Sequence, residues 1–191
     1  MLQYDYGFIG AGRMATALAG GLVEGGRATG EQIAASDPSE DVGRRFSAAV
    51  PGANVVDDNG KVARNSAVVI LAVKPQVIDA AIQSVSAAIG GEQVVVSIAA
   101  GITVARLEQK LPPGTRVVRV MPNTPCLIGR GASGYSLGSS AKPGDGELVD
   151  RMLKAVGIAL ELPEPLLDGV TGLSGSGPAF VYTVIEALSD G

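Results

Sequence analysis

Tyr4-Asp5-Tyr6-Gly7-Phe8-Ile9-Gly10-Ala11-Gly12-Arg13-Met14-Ala15 is the stretch on which the reading of the whole chain turns. Tyr4–Ile9 has the aromatic and apolar content of a short strand. Gly10-Ala11-Gly12 converts that strand into an alanine-rich helix over roughly Arg13–Glu24, and Gly25-Gly26 ends the helix as a C-terminal cap. The chain thus opens on a strand, a side-chain-free turn and a helix.

Working outward, the same alternation continues. Ile33–Ser36 reads as a second strand, and Asp37-Pro38-Ser39-Glu40 as a helix start with Asp37 in the cap position and Pro38 first in the helix. Val68–Ala72 is the next strand, followed by a helix near Gln76–Ile89, the strand Val94–Ser97, the helix Thr103–Leu111 and the strand Val117–Met121. Weaker strands are expected at Ala132–Leu137 and Ile158–Leu162, with a helix near Glu147–Val156 between them. Strands alternating with helices predict an α/β, Rossmann-type, mostly parallel sheet with helices on both faces. After Pro163 the pattern changes to two helices, Pro165–Leu173 and Pro178–Ser189. The expected organisation is therefore a domain over 1–162 and the beginning of an all-helical domain over 163–191. The last helix is apolar over much of its surface and needs a partner.

Composition narrows the chemistry. Hydrophobic residues make up 46% and aromatic residues 4% of 191, so the core is one of Val, Ala, Ile and Leu, as a buried parallel sheet requires. A net charge of −4 without a Lys/Arg cluster predicts no nucleic-acid partner. The apolar stretches are too short to span a bilayer, and Met1–Tyr6 lacks the basic, then apolar, pattern of a secretory leader. The expectation is a cytoplasmic protein with no membrane partner. With no histidine and one cysteine, a Cys/His metal site and a Ser-His-Asp triad are excluded, and no metal is expected. The chemistry has to come from a cofactor, carboxylates, Lys, Tyr, hydroxyls and backbone amides.

Five segments carry it. Gly10-Ala11-Gly12-Arg13-Met14-Ala15 is a G-x-G-x-x-A between a strand and a helix. Its bare amides and the helix N-terminus suit a pyrophosphate, the alternative being a tight turn without a ligand. Asp37, at the end of the second strand, reads as a ribose contact that favours NAD over NADP, as a helix cap, or as both. Arg44 and Arg45, in the helix that follows, either offset a phosphate or are solvated. Ala72-Val73-Lys74-Pro75 and Ile98-Ala99-Ala100-Gly101 close two strands where an open α/β sheet binds ligands, although Lys74 also reads as a solvated strand-end lysine and Pro75 as a plain helix start. In Met121-Pro122-Asn123-Thr124-Pro125, Asn123 offers a donor and an acceptor on a stiff backbone, or sits in a rigid turn. Cys126 beside it reads as a small core residue. In Thr171-Gly172-Leu173-Ser174-Gly175-Ser176-Gly177-Pro178, a Gly/Ser loop enters a helix, which suits a carboxylate or is a flexible connector.

In this order and spacing, Phe8–Met14, Ala72–Pro75, Ser97–Gly101, Met121–Pro125 and Thr171–Ala179 resemble the pyrroline-5-carboxylate reductase family along essentially the whole chain. The resemblance implies reduction of 1-pyrroline-5-carboxylate to L-proline by NADPH, with NADH as a second cofactor. It places cofactor contacts on Ile9, Gly10, Ala11, Gly12, Arg13 and Met14, on Asp37 and Asn59, on Ala72, Val73, Lys74 and Pro75, and on Ile98, Ala99 and Ala100. The candidate substrate contacts are Asn123, Ser174, Gly175, Ser176 and Gly177. Similar enzymes favour NADPH, and Asp37 departs from the neutral or basic residues usual at its position. The family continues with intertwined helices and a Ser-Pro-Gly-Gly-Thr-Thr segment. A homo-oligomer is thus expected for the full-length protein, no catalytic residue is assigned, and little turnover is expected if the polypeptide stops at Gly191. The rival readings are a related imine or β-hydroxy-acid oxidoreductase and a dinucleotide-binding fragment without turnover.

Overall fold

The computed structural model describes residues 2–191. Eight strands form one sheet: β1 (Tyr4–Ile9), β2 (Ile33–Ser36), β3 (Asn54–Val56), β4 (Ser66–Leu71), β5 (Val94–Ser97), β6 (Arg116–Met121), β7 (Gly131–Leu137) and β8 (Gly157–Glu161), in the spatial order β3-β2-β1-β4-β5-β6-β7-β8. β1 to β6 are parallel to one another, β7 runs antiparallel to β6, and β8 is parallel to β7. The helices are α1 (Arg13–Glu24), α2 (Glu40–Ala49), α3 (Asn59–Asn65), α4 (Ile78–Ser86), α5 (Val104–Lys110), α6 (Pro143–Leu153), α7 (Leu166–Val170) and α8 (Gly177–Asp190). The Rossmann-type expectation holds. The order reverses between β1 and β4, and in such sheets ligands bind beyond the carboxyl ends of the strands at this point.

The period-two alternation of each strand supplies two cores, which is why the strand sequences are apolar throughout. Phe8, Val68, Ile70, Val96 and Val118 face α1, α2 and α6, against Leu18, Leu22, Phe46 and Met152. Ile9, Val69, Leu71 and Val95 face α3, α4 and α5, against Val62, Ile78, Ile82 and Leu107. Phe8 and Phe46 are fully buried with ring centroids 6.0 Å apart, and burial of such a side chain contributes on the order of 2 kcal/mol. On the outer surface of the second layer, α4 and α5 are tied by Asp79, whose carboxyl is held below its usual range first by the hydrogen bond from Lys110 and then by Arg106.

Several elements differ from the sequence reading. β3 and α3 had no counterpart in it. α2 begins at Glu40, with Ser39 rather than Asp37 in the cap position and Pro38 outside the helix; the Asp37 carboxylate accepts from the Ala11 and Ser39 amides, ahead of the helix, and from none within it. The helix expected from Gln76 starts as a 3-10 turn over Pro75–Val77 and becomes α4 only at Ile78. α6 begins at Pro143, four residues earlier than expected, where the Asp145 carboxylate accepts from the Lys142 amide. The Gly/Ser segment is not a loop: Thr171–Gly175 is wound into a wide π turn that joins α7 almost continuously to α8, with the Ser176 amide donating to the Thr171 carbonyl at 2.9 Å.

α7 is pinned to the sheet by Leu167, which is fully buried and fills the space above Gly134. α8 leaves the body with Phe180, Val181, Tyr182, Val184, Ile185 and Leu188 all exposed. Among the described residues no helix is long and apolar enough to cross a membrane.

Candidate active site

Gly10 leaves β1 with φ of +94°, and a Cβ there would lie 2.8 Å from the Ala72 carbonyl oxygen. The turn is therefore restricted to glycine by both conformation and space. Gly12 occupies the cap position of α1 with no side-chain cap, and a Cβ on it would meet nothing within 4 Å. The first-turn amides of α1 thus face open space, the arrangement that a pyrophosphate needs. Asp37 meets this turn from β2: its Oδ2 accepts from the Ala11 amide at 3.0 Å and its Oδ1 from the Ser39 amide at 3.0 Å. The carboxylate is thereby fixed at the end of β2, next to the turn.

Two cavities lie along the strand ends and share Gly12, Ala72, Val73 and Lys74. The one nearer β2 has a volume of about 560 Å³ and is walled by Ile9, Gly10, Asp37, Asn59 and the apolar start of α4. Asn59 is held at both ends, accepting from Ser36 Oγ at 2.6 Å and donating to Ser84 Oγ at 2.9 Å. The other cavity, about 420 Å³, lies between Arg13 and Met14 on one side and Ile98, Met121 and Pro122 on the other. Its walls are mostly apolar, which suits a flat ring. Two joined cavities on either side of an uncapped helix start match the two halves of a dinucleotide.

Beyond the second cavity, Asn123 joins three segments. Its Nδ2 donates to Ser174 Oγ at 2.8 Å, and its Oδ1 accepts from the Ala132 amide at 2.9 Å. The π turn packs close, since a Cβ on Gly175 would lie 2.8 Å from Met121 Cε. Cys126 is buried with Sγ 4.0 Å from Asn123 Oδ1, as a small core residue.

The expected site residues are thus mostly brought together. Ala11 spends its amide on Asp37, Pro75 opens the 3-10 turn after Lys74, and Ala99 is buried below the cleft. Ala100 and Ser176 are exposed and line neither cavity, and Gly177 is the first residue of α8. Arg44 pairs with Asp41 and lines a wider cleft with Asp37, Asp57, Asp58 and Lys61, while Arg45 donates to the Asp41 carbonyl at 3.2 Å. The sequence reading missed Ser36, which sets Asn59, and Val77, Ala80 and Ala81 on the wall of the first cavity. The signal for the latter was present: positions 77, 80 and 81 share one helical face.

Comparison with known proteins decides the family. The family model described as NADP oxidoreductase, coenzyme F420-dependent, matches residues 5–101, and that of pyrroline-5-carboxylate reductase dimerisation matches 164–191. Over 191 residues the chain is 45% identical to a pyrroline-5-carboxylate reductase of Methanosarcina acetivorans, covering all of this chain and 70% of that protein. The chain belongs to the pyrroline-5-carboxylate reductase family. Pyrroline-5-carboxylate reductase 3 of Mus musculus is 43% identical, with 97% of this chain and 67% of that protein covered. Among solved structures of the family, the Coxiella burnetii reductase superposes with a TM-score of 0.89 at 31% identity, covering 98% of this chain and 70% of that one. The Plasmodium falciparum enzyme, solved with NADP bound, gives 0.87 at 30% identity, covering 100% of this chain and 69% of that one.

Proposed function

We propose that the chain carries the dinucleotide-binding part and a share of the substrate site of an enzyme that reduces 1-pyrroline-5-carboxylate to L-proline with NADPH, and with NADH as a second cofactor. The observation that carries this reading is the pair of joined cavities flanking the uncapped start of α1, with the Asn123–Ser174 pair at their far end. Residues 1–162 act as the dinucleotide-binding domain, and 163–191 begin a substrate and dimerisation domain. The assembly is a homo-oligomer in the cytoplasm, with no nucleic-acid or membrane partner.

The turn at Gly10, Ala11 and Gly12, with Arg13 and Met14 behind it, receives the pyrophosphate. Asp37 and Asn59 meet the adenosine half; Ala72, Val73, Lys74 and Pro75 line the path between the two halves. Ile98 lies against the ring, and Ala99 and Ala100 continue the segment after β5 that sets its place. A dinucleotide held by these residues would supply the hydride for the imine carbon, the two electrons of the reduction, with one proton taken up at the ring nitrogen. Asn123, Ser174, Gly175, Ser176 and Gly177 hold the substrate carboxylate and orient the imine towards the ring. Met121 and Pro122 keep water from that face. A cyclic imine is easily protonated, so the reaction needs alignment more than a strong acid, in keeping with a chain that lacks histidine.

The test is a titration of NADPH and NADH into the purified protein by nicotinamide fluorescence, followed by addition of pyrroline-5-carboxylate and measurement of nicotinamide oxidation. Saturable binding followed by substrate-dependent oxidation is expected from the protein with its complete helical domain. Absence of dinucleotide binding would overturn the assignment.

A further inference from the structure

Arg119 lies on β6, between the parallel strand β5 and the antiparallel strand β7, and is only 3% exposed. A guanidinium stays charged, so its burial has to be matched by well-placed acceptors. Nη1 donates to Glu164 Oε1 at 3.0 Å and Nη2 to Asp168 Oδ1 at 2.9 Å. The same Glu164 oxygen accepts from the amide of Val104, the first residue of α5, at 2.7 Å. One buried cation therefore ties β6 and the start of α5 to both ends of the step into α7.

None of these groups lines the two cavities. What they hold is α7, and α7 runs without interruption into the turn at 171–175, where Ser174 meets Asn123. Adhesion of α7 is already provided by Leu167, packed above Gly134. A planar guanidinium fork adds direction: two bonds at fixed angles set how far α7 lies from the sheet and how it is rotated about its axis. Asp168 is largely exposed, with 75% of its side chain accessible, and an ion pair to such a carboxylate adds little stability. Its bond to Arg119 is better explained by geometry than by adhesion.

We propose that Arg119 is a positioning residue for the reduction: through Glu164 and Asp168 it fixes where the 171–175 turn sits over the end of β6, and so where Ser174 is presented beside Asn123. The consequence for substrate rests on the reading of this turn as the carboxylate site, and the test separates the two. Arg119→Lys, Asp168→Asn, Ser174→Ala and the double variant Arg119→Lys/Ser174→Ala are compared with the parent at a temperature well below each melting point. Dinucleotide Kd, KM and kcat for pyrroline-5-carboxylate, and amide exchange over residues 171–178 are measured. Misplacing a binding group should raise KM in Arg119→Lys and Asp168→Asn by about tenfold with dinucleotide Kd unchanged. Exchange over 171–178 should quicken, and the double variant should be no worse than the worse single one. Lowered melting points with parental KM and exchange would mean a purely structural role and overturn the proposal, as would additive effects in the double variant. If Ser174→Ala alone leaves KM unchanged, the carboxylate reading falls. The clamp is then judged on exchange alone, with faster exchange in Arg119→Lys supporting it and unchanged exchange overturning it.

Discussion

At the scale of single residues, Asp37 shows how one side chain serves fold and ligand together. Its two carboxylate oxygens each accept a backbone amide, from Ala11 and from Ser39, so the charge is held still at the end of β2. A fixed carboxylate accepts readily from a ribose 2′-hydroxyl and repels a 2′-phosphate. Asp37→Ser, which keeps a short acceptor and removes the charge, should therefore shift the ratio of NADPH to NADH affinity towards NADPH by about tenfold, or ~1.4 kcal/mol. Fluorescence titration of both cofactors reads this directly, and an unchanged ratio would remove Asp37 from the ribose. The glycine turn, Asp37 and Asn123 were legible in the sequence because each is a polar or side-chain-free residue at a strand end. The partners of Asn123 were not: Ala132 and Ser174 reach it only once β7 has folded back beside β6.

At the scale of elements, strands with a continuous apolar run and helices with clear start signals were legible, and short or unusual elements were not. β3 has three residues, and α3 opens on Asn59-Gly60, a pair that reads as a turn. Asp58 turns that pair into a helix start by accepting from the Lys61 amide at 2.9 Å. The π turn at 171–175 was concealed by its glycines: packing of Gly175 on Met121 and the Asn123–Ser174 bond hold a wound conformation that composition alone disfavours. α7, only five residues long, depends on one buried side chain. Leu167→Ala should lower stability by about 2–5 kcal/mol, since it leaves a cavity against Gly134. Denaturant unfolding measures this, and a loss below about 1 kcal/mol would show that α7 is held mainly by its charged contacts.

At the scale of the whole molecule, the sheet body and α8 contrast. Most of the body's large apolar side chains are buried in its two cores, while α8 exposes Phe180 at 70% and Leu188 at 78%. A continuous apolar surface of this kind marks an interaction face. Sedimentation should show a dimer or larger species, and Phe180→Glu with Ile185→Glu should shift it towards monomer while leaving the circular dichroism of the body unchanged. A monomeric parent would sink the assignment of α8 as a subunit interface. Sheet topology also bears on how the chain is made. Among the described residues all eight strands lie before Leu162, and the pairings of the sheet are made between them. On a ribosome, which delivers domains from the N-terminus, the cofactor cleft can close around its ligand before α8 has emerged. A nucleotide bound at that stage lowers the free energy of the half-made protein by mass action. The sticky helix then appears attached to a body already folded, which shortens the time in which misassembly competes with pairing.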